Sequence, residues 1–132
     1  MPQAANITVN DREPTPVAHT FTPSGVKDQV ATFVNLSASM ISARERLTLS
    51  WRTNAGKHKV RLVLMAPVVA TETINGVSVP KQMRVGFADL TLTFADTSTL
   101  QERKNIVGLL ANALASSQTV VDPVLTNVEG LY

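Results

Sequence analysis

The residues that could carry acid–base, metal or nucleophilic chemistry are few and badly spaced for it. His19 and His58 have no partners at HxxxH or HExxH spacing, and cysteine is absent. No glycine-rich phosphate loop follows a strand pattern, and no GxSxG elbow occurs. The pattern argues against an enzyme, and no cofactor, metal or small-molecule substrate is expected. The spacing that does suggest chemistry is cationic. Arg44, Arg46, Arg52, Lys57, Lys59 and Arg61 supply six of the twelve basic residues within one short stretch, against a single acid, Glu45. Arginine and lysine neutralise phosphates, hydroxyls bond to backbone oxygens, and an aromatic ring stacks on bases, so such a set suits a flexible nucleic acid. A solvated, solubilising face is the plainer reading of a charge cluster taken alone.

Three stretches with a period of two position these groups. In RLTLSWR (46–52), Leu47, Leu49 and Trp51 oppose Arg46, Thr48, Ser50 and Arg52. In KVRLVLM (59–65), Val60, Leu62 and Leu64 oppose Lys59, Arg61, Val63 and Met65. In FADLTLTF (87–94), Ala88, Leu90, Leu92 and Phe94 oppose Phe87, Asp89, Thr91 and Thr93. Such alternation predicts strands with one buried and one open face. If the three pair, the open face collects cations, hydroxyls and the Phe87 ring, which points to RNA. Asp89 is the one acid on that face; it either pairs with an arginine or accepts from a base amino group.

The rest of the chain completes an α+β layout. Short strands are expected at 6–10 and 18–21, the second ending in a turn at Pro23, Ser24 and Gly25, with a further strand at 29–36. A turn at 53–56 joins the strand around Arg46 to a long one from Lys57 to Met65, which Pro67 is expected to end. Asn75-Gly76 between alternating residues predicts a hairpin turn, and the last strand is expected from about Met83 to Phe94. At Ser98 the period becomes 3.6: Ser98 with Gln101, or Thr99 with Glu102, fits a capping box. An amphipathic helix over 100–117 follows, about 27 Å long at 1.5 Å per residue, with Leu100, Val107, Leu110 and Leu114 on one stripe. Asp122-Pro123 predicts the N-cap and first residue of a short second helix that Gly130 stops.

Composition sets the remaining bounds. With 132 residues, 44% hydrophobic and 17% charged, the chain suits one globular domain. No apolar run approaches the roughly 18 residues of a membrane span, and no signal peptide is expected at the N-terminus. Six or seven strands present more apolar area than one long and one short helix can cover. A second copy supplying the missing cover is therefore expected, which makes an obligate homodimer.

Several stretches resemble the coat proteins of the small single-stranded RNA bacteriophages, the leviviruses. They are DREPTPVAHTFTP (11–23), RLTLSWR (46–52), PVVATETINGVSVP (67–80), FADLTLTF (87–94), STLQERKNIVGLLANAL (98–114) and the terminal GLY (130–132). Their order, spacing and common length carry the similarity over nearly the whole chain. The resemblance implies an N-terminal hairpin and a five-stranded antiparallel sheet over 1–96, then two helices over 97–132 that interlock with a second copy into a ten-stranded dimer sheet. It also implies an icosahedral shell of dimers around a single-stranded RNA genome, made in a bacterial cytoplasm. Binding of an RNA hairpin at the start of the replicase gene, which represses its translation, is a further implication. A dimeric RNA-binding module that forms no shell is the alternative.

Carried over by position, the resemblance places Val30, Thr48, Ser50 and Arg61 in pockets for unpaired adenines. Arg46, Arg52 and Lys59 fall at or near phosphates. Phe87, Asp89 and Thr91 match a run that usually begins with a tyrosine stacked on a loop base; phenylalanine stacks but offers no hydroxyl. Val63 stands where several relatives have a lysine. The loop containing Thr73, Ile74, Asn75, Gly76, Val77 and Pro80 matches the segment that changes shape between five-fold and six-fold positions of such shells. Gly76 permits positive φ there, and Pro80 adds a stiff pivot at the exit.

Overall fold

The computed structural model describes residues 2–132. It divides into two compact units, the first ending at Thr93 and the second spanning Phe94–Tyr132. Strands of the first unit, the last of which runs two residues past Thr93, follow one another in an antiparallel sheet ordered β1-β2-β3-β4-β5-β6. They are β1 (Ile7–Asn10), β2 (Ala18–Lys27), β3 (Val30–Val34), β4 (Arg46–Asn54), β5 (Lys57–Ile74) and β6 (Val77–Ala95).

The expected hairpin and five-stranded sheet are both present, built from six strands rather than seven because β2 serves in each. Its first residues pair with β1, from Ala18↔Asn10 to Phe21↔Ile7, and Thr22 to Lys27 pair with β3. The expected turn at Pro23–Gly25 is instead a register shift within β2. One extra residue there bulges the strand without reversing it.

Three two-residue loops set the β2–β3, β4–β5 and β5–β6 connections. Asp28-Gln29, Ala55-Gly56 and Asn75-Gly76 all have positive φ at both positions, as the turns that match strand twist require. Asn and Gly tolerate this well; Asp28, Gln29 and Ala55 do so at some strain. The β5–β6 hairpin is longer than the sequence suggests, since β5 runs through Pro67 to Ile74 and β6 begins at Val77. Proline's fixed φ is compatible with an extended strand, and its missing donor removes one ladder bond, not the strand.

The core of this unit is small. Phe21, Ala31 and Phe33 are buried, with Ile7, Leu47, Leu49, Trp51 and Leu64 packed against them, all from the apolar side of the alternation. Beside them the N-terminal segment, with Ala31, Phe33, Leu49 and Trp51, lines an apolar hollow of about 620 Å³.

In the second unit, α1 spans Leu100–Ala113 and α2 spans Val121–Thr126. Thr99, not Ser98, caps α1: its Oγ1 accepts from the Glu102 N–H at 3.2 Å and its own N–H donates to Glu102 Oε2 at 2.8 Å. Both halves of a capping box are therefore made. The helix ends at Ala113, short of residue 117, where Ser116 and Ser117 favour turns over helix interiors. Asp122 is not the N-cap of α2. Its N–H already bonds the Gln118 carbonyl at 3.3 Å, so it lies inside the first turn, where its charge suits the helix dipole. Asn127, rather than Gly130, closes that helix.

Candidate nucleic-acid interface

Register turns the alternating residues into transverse rows. Val30 lies opposite Ser50, and Ser50 opposite Arg61, so one row crosses β3, β4 and β5. Thr32, Thr48 and Val63 form the next row. Arg52 pairs with Lys59, and Asn54 with Lys57. Arg46 sits at the far end, between Val34 and Met65. Directly opposed residues project to the same side of a sheet, so these positions share one face.

Strand β6 joins the same face through an ion pair. Arg61 Nε donates to Asp89 Oδ1 at 2.9 Å and Nη2 donates to Asp89 Oδ2 at 2.5 Å. This two-point bond holds the Asp89 carboxyl below its ordinary range and raises the Arg61 guanidinium further above its own. Alternation along β6 then puts Phe87, Thr91 and Thr93 beside Asp89. The Phe87 side chain is 71% exposed, open for stacking.

A cavity of about 650 Å³ lies on this face, walled by Ser50, Arg52, Asn54, Lys57, Lys59, Arg61 and Thr93. Four cations around one hollow make a strongly positive field, which attracts polyanions and repels cations. Asn54, Lys57 and Thr93 lie outside the positions that the resemblance assigns to RNA, although Lys57 belongs to the cationic stretch and Thr93 to the open face of the alternation. The period of two carries one step beyond Thr91 to Thr93 and one step before Lys59 to Lys57, so the signal for them was present.

The expected shape-changing loop forms the tip of the β5–β6 hairpin. Thr73 and Ile74 end β5, Asn75 and Gly76 make the turn, and Val77 and Pro80 begin β6. All six are exposed, and Lys81 Nζ lies 3.6 Å from Glu72 Oε2 at the base of this tip.

The histidines serve structure. His19 Nδ1 lies 2.6 Å from Glu45 Oε1 and Nε2 lies 2.7 Å from Asp11 Oδ2. His58 Nδ1 pairs with Thr53 Oγ1 at 2.8 Å. Among the described residues no cluster of three potential metal ligands occurs.

Together these features define a β-sheet protein with one open cationic face and a helical C-terminus. The model of the levivirus coat protein family matches residues 2–132. The capsid protein of Pseudomonas phage PRR1 is 35% identical over 131 residues, covering 98% of this chain and 99% of that one. Among solved structures, the virus-like particle of bacteriophage ESE058 aligns with a TM-score of 0.88 at 24% identity, over 99% of this chain and 100% of that one. A structure described as an unassembled virus coat protein dimer and bacteriophage RNA-binding dimer aligns with a TM-score of 0.63 at 20% identity, over 98% of both chains. The chain belongs to the levivirus coat protein family. It is a structural capsid protein, a component of the virion and not an enzyme.

Proposed function

We propose that the protein dimerises, that its dimers close into an icosahedral shell around a single-stranded RNA genome, and that its cationic face binds an RNA hairpin to repress replicase translation. Synthesis in the cytoplasm of a bacterial host belongs to this reading. The observation that carries the RNA part is the convergence of Ser50, Arg52, Lys59 and Arg61 on one cavity, with Val30 in the row of Ser50 and Arg61, Thr48 in the next row and the Phe87 ring exposed.

Two observations support the dimer. Helix α1 has no buried residue, and its Leu109 and the C-cap Leu114 that follows it are 73% and 51% exposed in the single chain. The apolar hollow beside Trp51 leaves further apolar surface uncovered. Isolated soluble chains seldom leave this much large apolar surface open. The ESE058 relative is a virus-like particle, and a dimeric relative is described as RNA-binding, which agrees with both parts of the reading.

Electron microscopy and light scattering of the purified protein test assembly. Closed particles are expected; a dimer at every concentration would leave only an RNA-binding module. Mobility shifts against a panel of short hairpins test repression. One hairpin should be preferred, and uniform affinity across the panel would remove the repressor role.

A further inference from the structure

A second, smaller pocket opens at the opposite end of β4 from the cationic cavity. It has a volume of about 380 Å³ and is walled by Pro23, Thr32, Leu36, Ile41, Arg44 and Arg46. Thr32 and Arg46 belong to the polar rows, so this pocket and the cavity open on the same side of the sheet. The bulge at Pro23–Gly25 shapes its near wall. Its far wall is the loop that carries the short 3₁₀ turn Ile41–Ala43.

That loop is held from beneath. The Asn35 N–H donates to the Glu45 carbonyl at 2.9 Å, closing its base. Asn35 Nδ2 donates to Glu45 Oε1 at 2.8 Å, and the same oxygen meets His19. Arg44 Nε donates to the Ala38 carbonyl at 2.8 Å, which fixes the plane of the guanidinium and leaves its terminal N–H groups for another acceptor. Leu36 and Ile41 nevertheless stand 55% and 65% exposed. Two guanidinium groups beside two exposed aliphatic side chains, with a threonine hydroxyl between, form a compound surface. Phosphate answers the arginines, and the apolar face of a base answers Leu36 and Ile41.

We infer that this pocket is a second nucleotide subsite, which takes one unpaired nucleotide of a single-stranded RNA whose other end occupies the cavity around Arg61. The inference rests on the RNA-binding reading. Arg46 and Arg52 lie six residues apart on β4, about 20 Å at about 3.3 Å per residue. A stacked strand covers that distance in about six nucleotides at about 3.4 Å each. The rows between the pockets carry Thr48 and Ser50, hydroxyls able to bond the RNA backbone along the way.

The test is a ladder of unstructured RNA oligonucleotides of increasing length, titrated by fluorescence anisotropy into purified protein held below its assembly concentration. Affinity should rise in two steps, the second at the length that spans both pockets. Arg44→Gln and Ile41→Ser should each abolish the second step, a loss of about tenfold for long oligonucleotides only. Arg44→Gln should also flatten the salt slope of the long oligonucleotides by about 0.7, one phosphate's share. Arg61→Ala should weaken all lengths. A single step that is indifferent to both Arg44→Gln and Ile41→Ser overturns the subsite while leaving the RNA face intact. No binding at any length overturns both. If Arg44→Gln alters particle assembly and leaves the length dependence unchanged, the pocket seats a neighbouring copy and the proposal fails. Amide spectra of both variants check that the loop keeps its fold.

Discussion

Arg61 and Asp89 meet across β5 and β6 in a two-point ion pair on the open face, 28 residues apart in sequence. The pair orients the guanidinium and offsets its charge where phosphate is expected. Both side chains are half exposed, so water screens the bond and it stabilises the fold little. Its larger effect falls on ligands. Replacing Asp89 by Asn removes one negative charge from a face that attracts anions. Affinity for RNA of arbitrary sequence should rise severalfold, with a steeper salt dependence. Filter binding at several ionic strengths checks this, and weaker binding would mean that Asp89 itself accepts from the RNA.

Arg52 and Lys59 stand directly opposite each other in the β4–β5 ladder, where like charges repel in the absence of an anion. Lys59→Ala should weaken RNA binding and lower the slope of log K against log salt by about 0.7. The same change should slightly raise the melting temperature of the RNA-free protein. An unchanged slope removes Lys59 from the site.

His19 sits between two carboxylates, and both ring nitrogens need protons to donate to them. The bonds to Glu45 and Asp11 raise the imidazole pKa above its ordinary 6.5. Bonds from the Val17 N–H and then from His19 lower the Asp11 carboxyl below its ordinary 3.8. The imidazolium contribution is complete below about pH 6.5 and is lost as pH rises through the raised value. The Asp11 contribution is present above about pH 3.8 and is lost as pH falls through the lowered value. Melting temperature should therefore decline on both flanks, and His19→Gln should flatten the alkaline one. Thermal melts across pH, with the variant alongside, decide it.

Leu114 caps the C-terminal end of α1 and is half exposed in the single chain. If a second copy covers it, Leu114→Asp buries an unpaired carboxylate at a cost of several kcal/mol. Soluble dimer should disappear by analytical ultracentrifugation. An intact dimer from this variant would place the helix outside the interface.

Gly76 has φ +79°, and a Cβ added there would meet nothing within 4 Å. Gly76→Val is thus purely a conformational perturbation, costing roughly 1–2 kcal/mol for a side chain in the left-handed region. If this tip adopts different shapes at different shell positions, the variant should form dimers that bind RNA normally and close few particles under the electron microscope. Normal particle yield would assign the tip a single shape.

The sequence by itself determined the faces, the main turn and the helix start. A period of two is a local property, so Leu47, Leu49 and Trp51 were fixed to one side and Thr48, Ser50 and Arg52 to the other before any partner strand was known. Asn75-Gly76 and the Thr99–Glu102 capping box were likewise legible, because each needs only its own few residues to satisfy backbone geometry. Tertiary structure decided whatever depends on register or on competition between distant groups. Nothing near Asp89 in sequence names Arg61 as its partner, and nothing near His19 names Glu45, since such pairs follow from how strands align over long separations. Pro67 and Pro23 read as terminators, yet the ladder on either side of Pro67 outweighs one missing donor, and a bulge absorbs the irregularity at Pro23. Asp122 had the chemistry of a cap, but the backbone was already helical at its amide. Local chemistry proposed these sites, and the pairing energy of whole strands and helices chose among them.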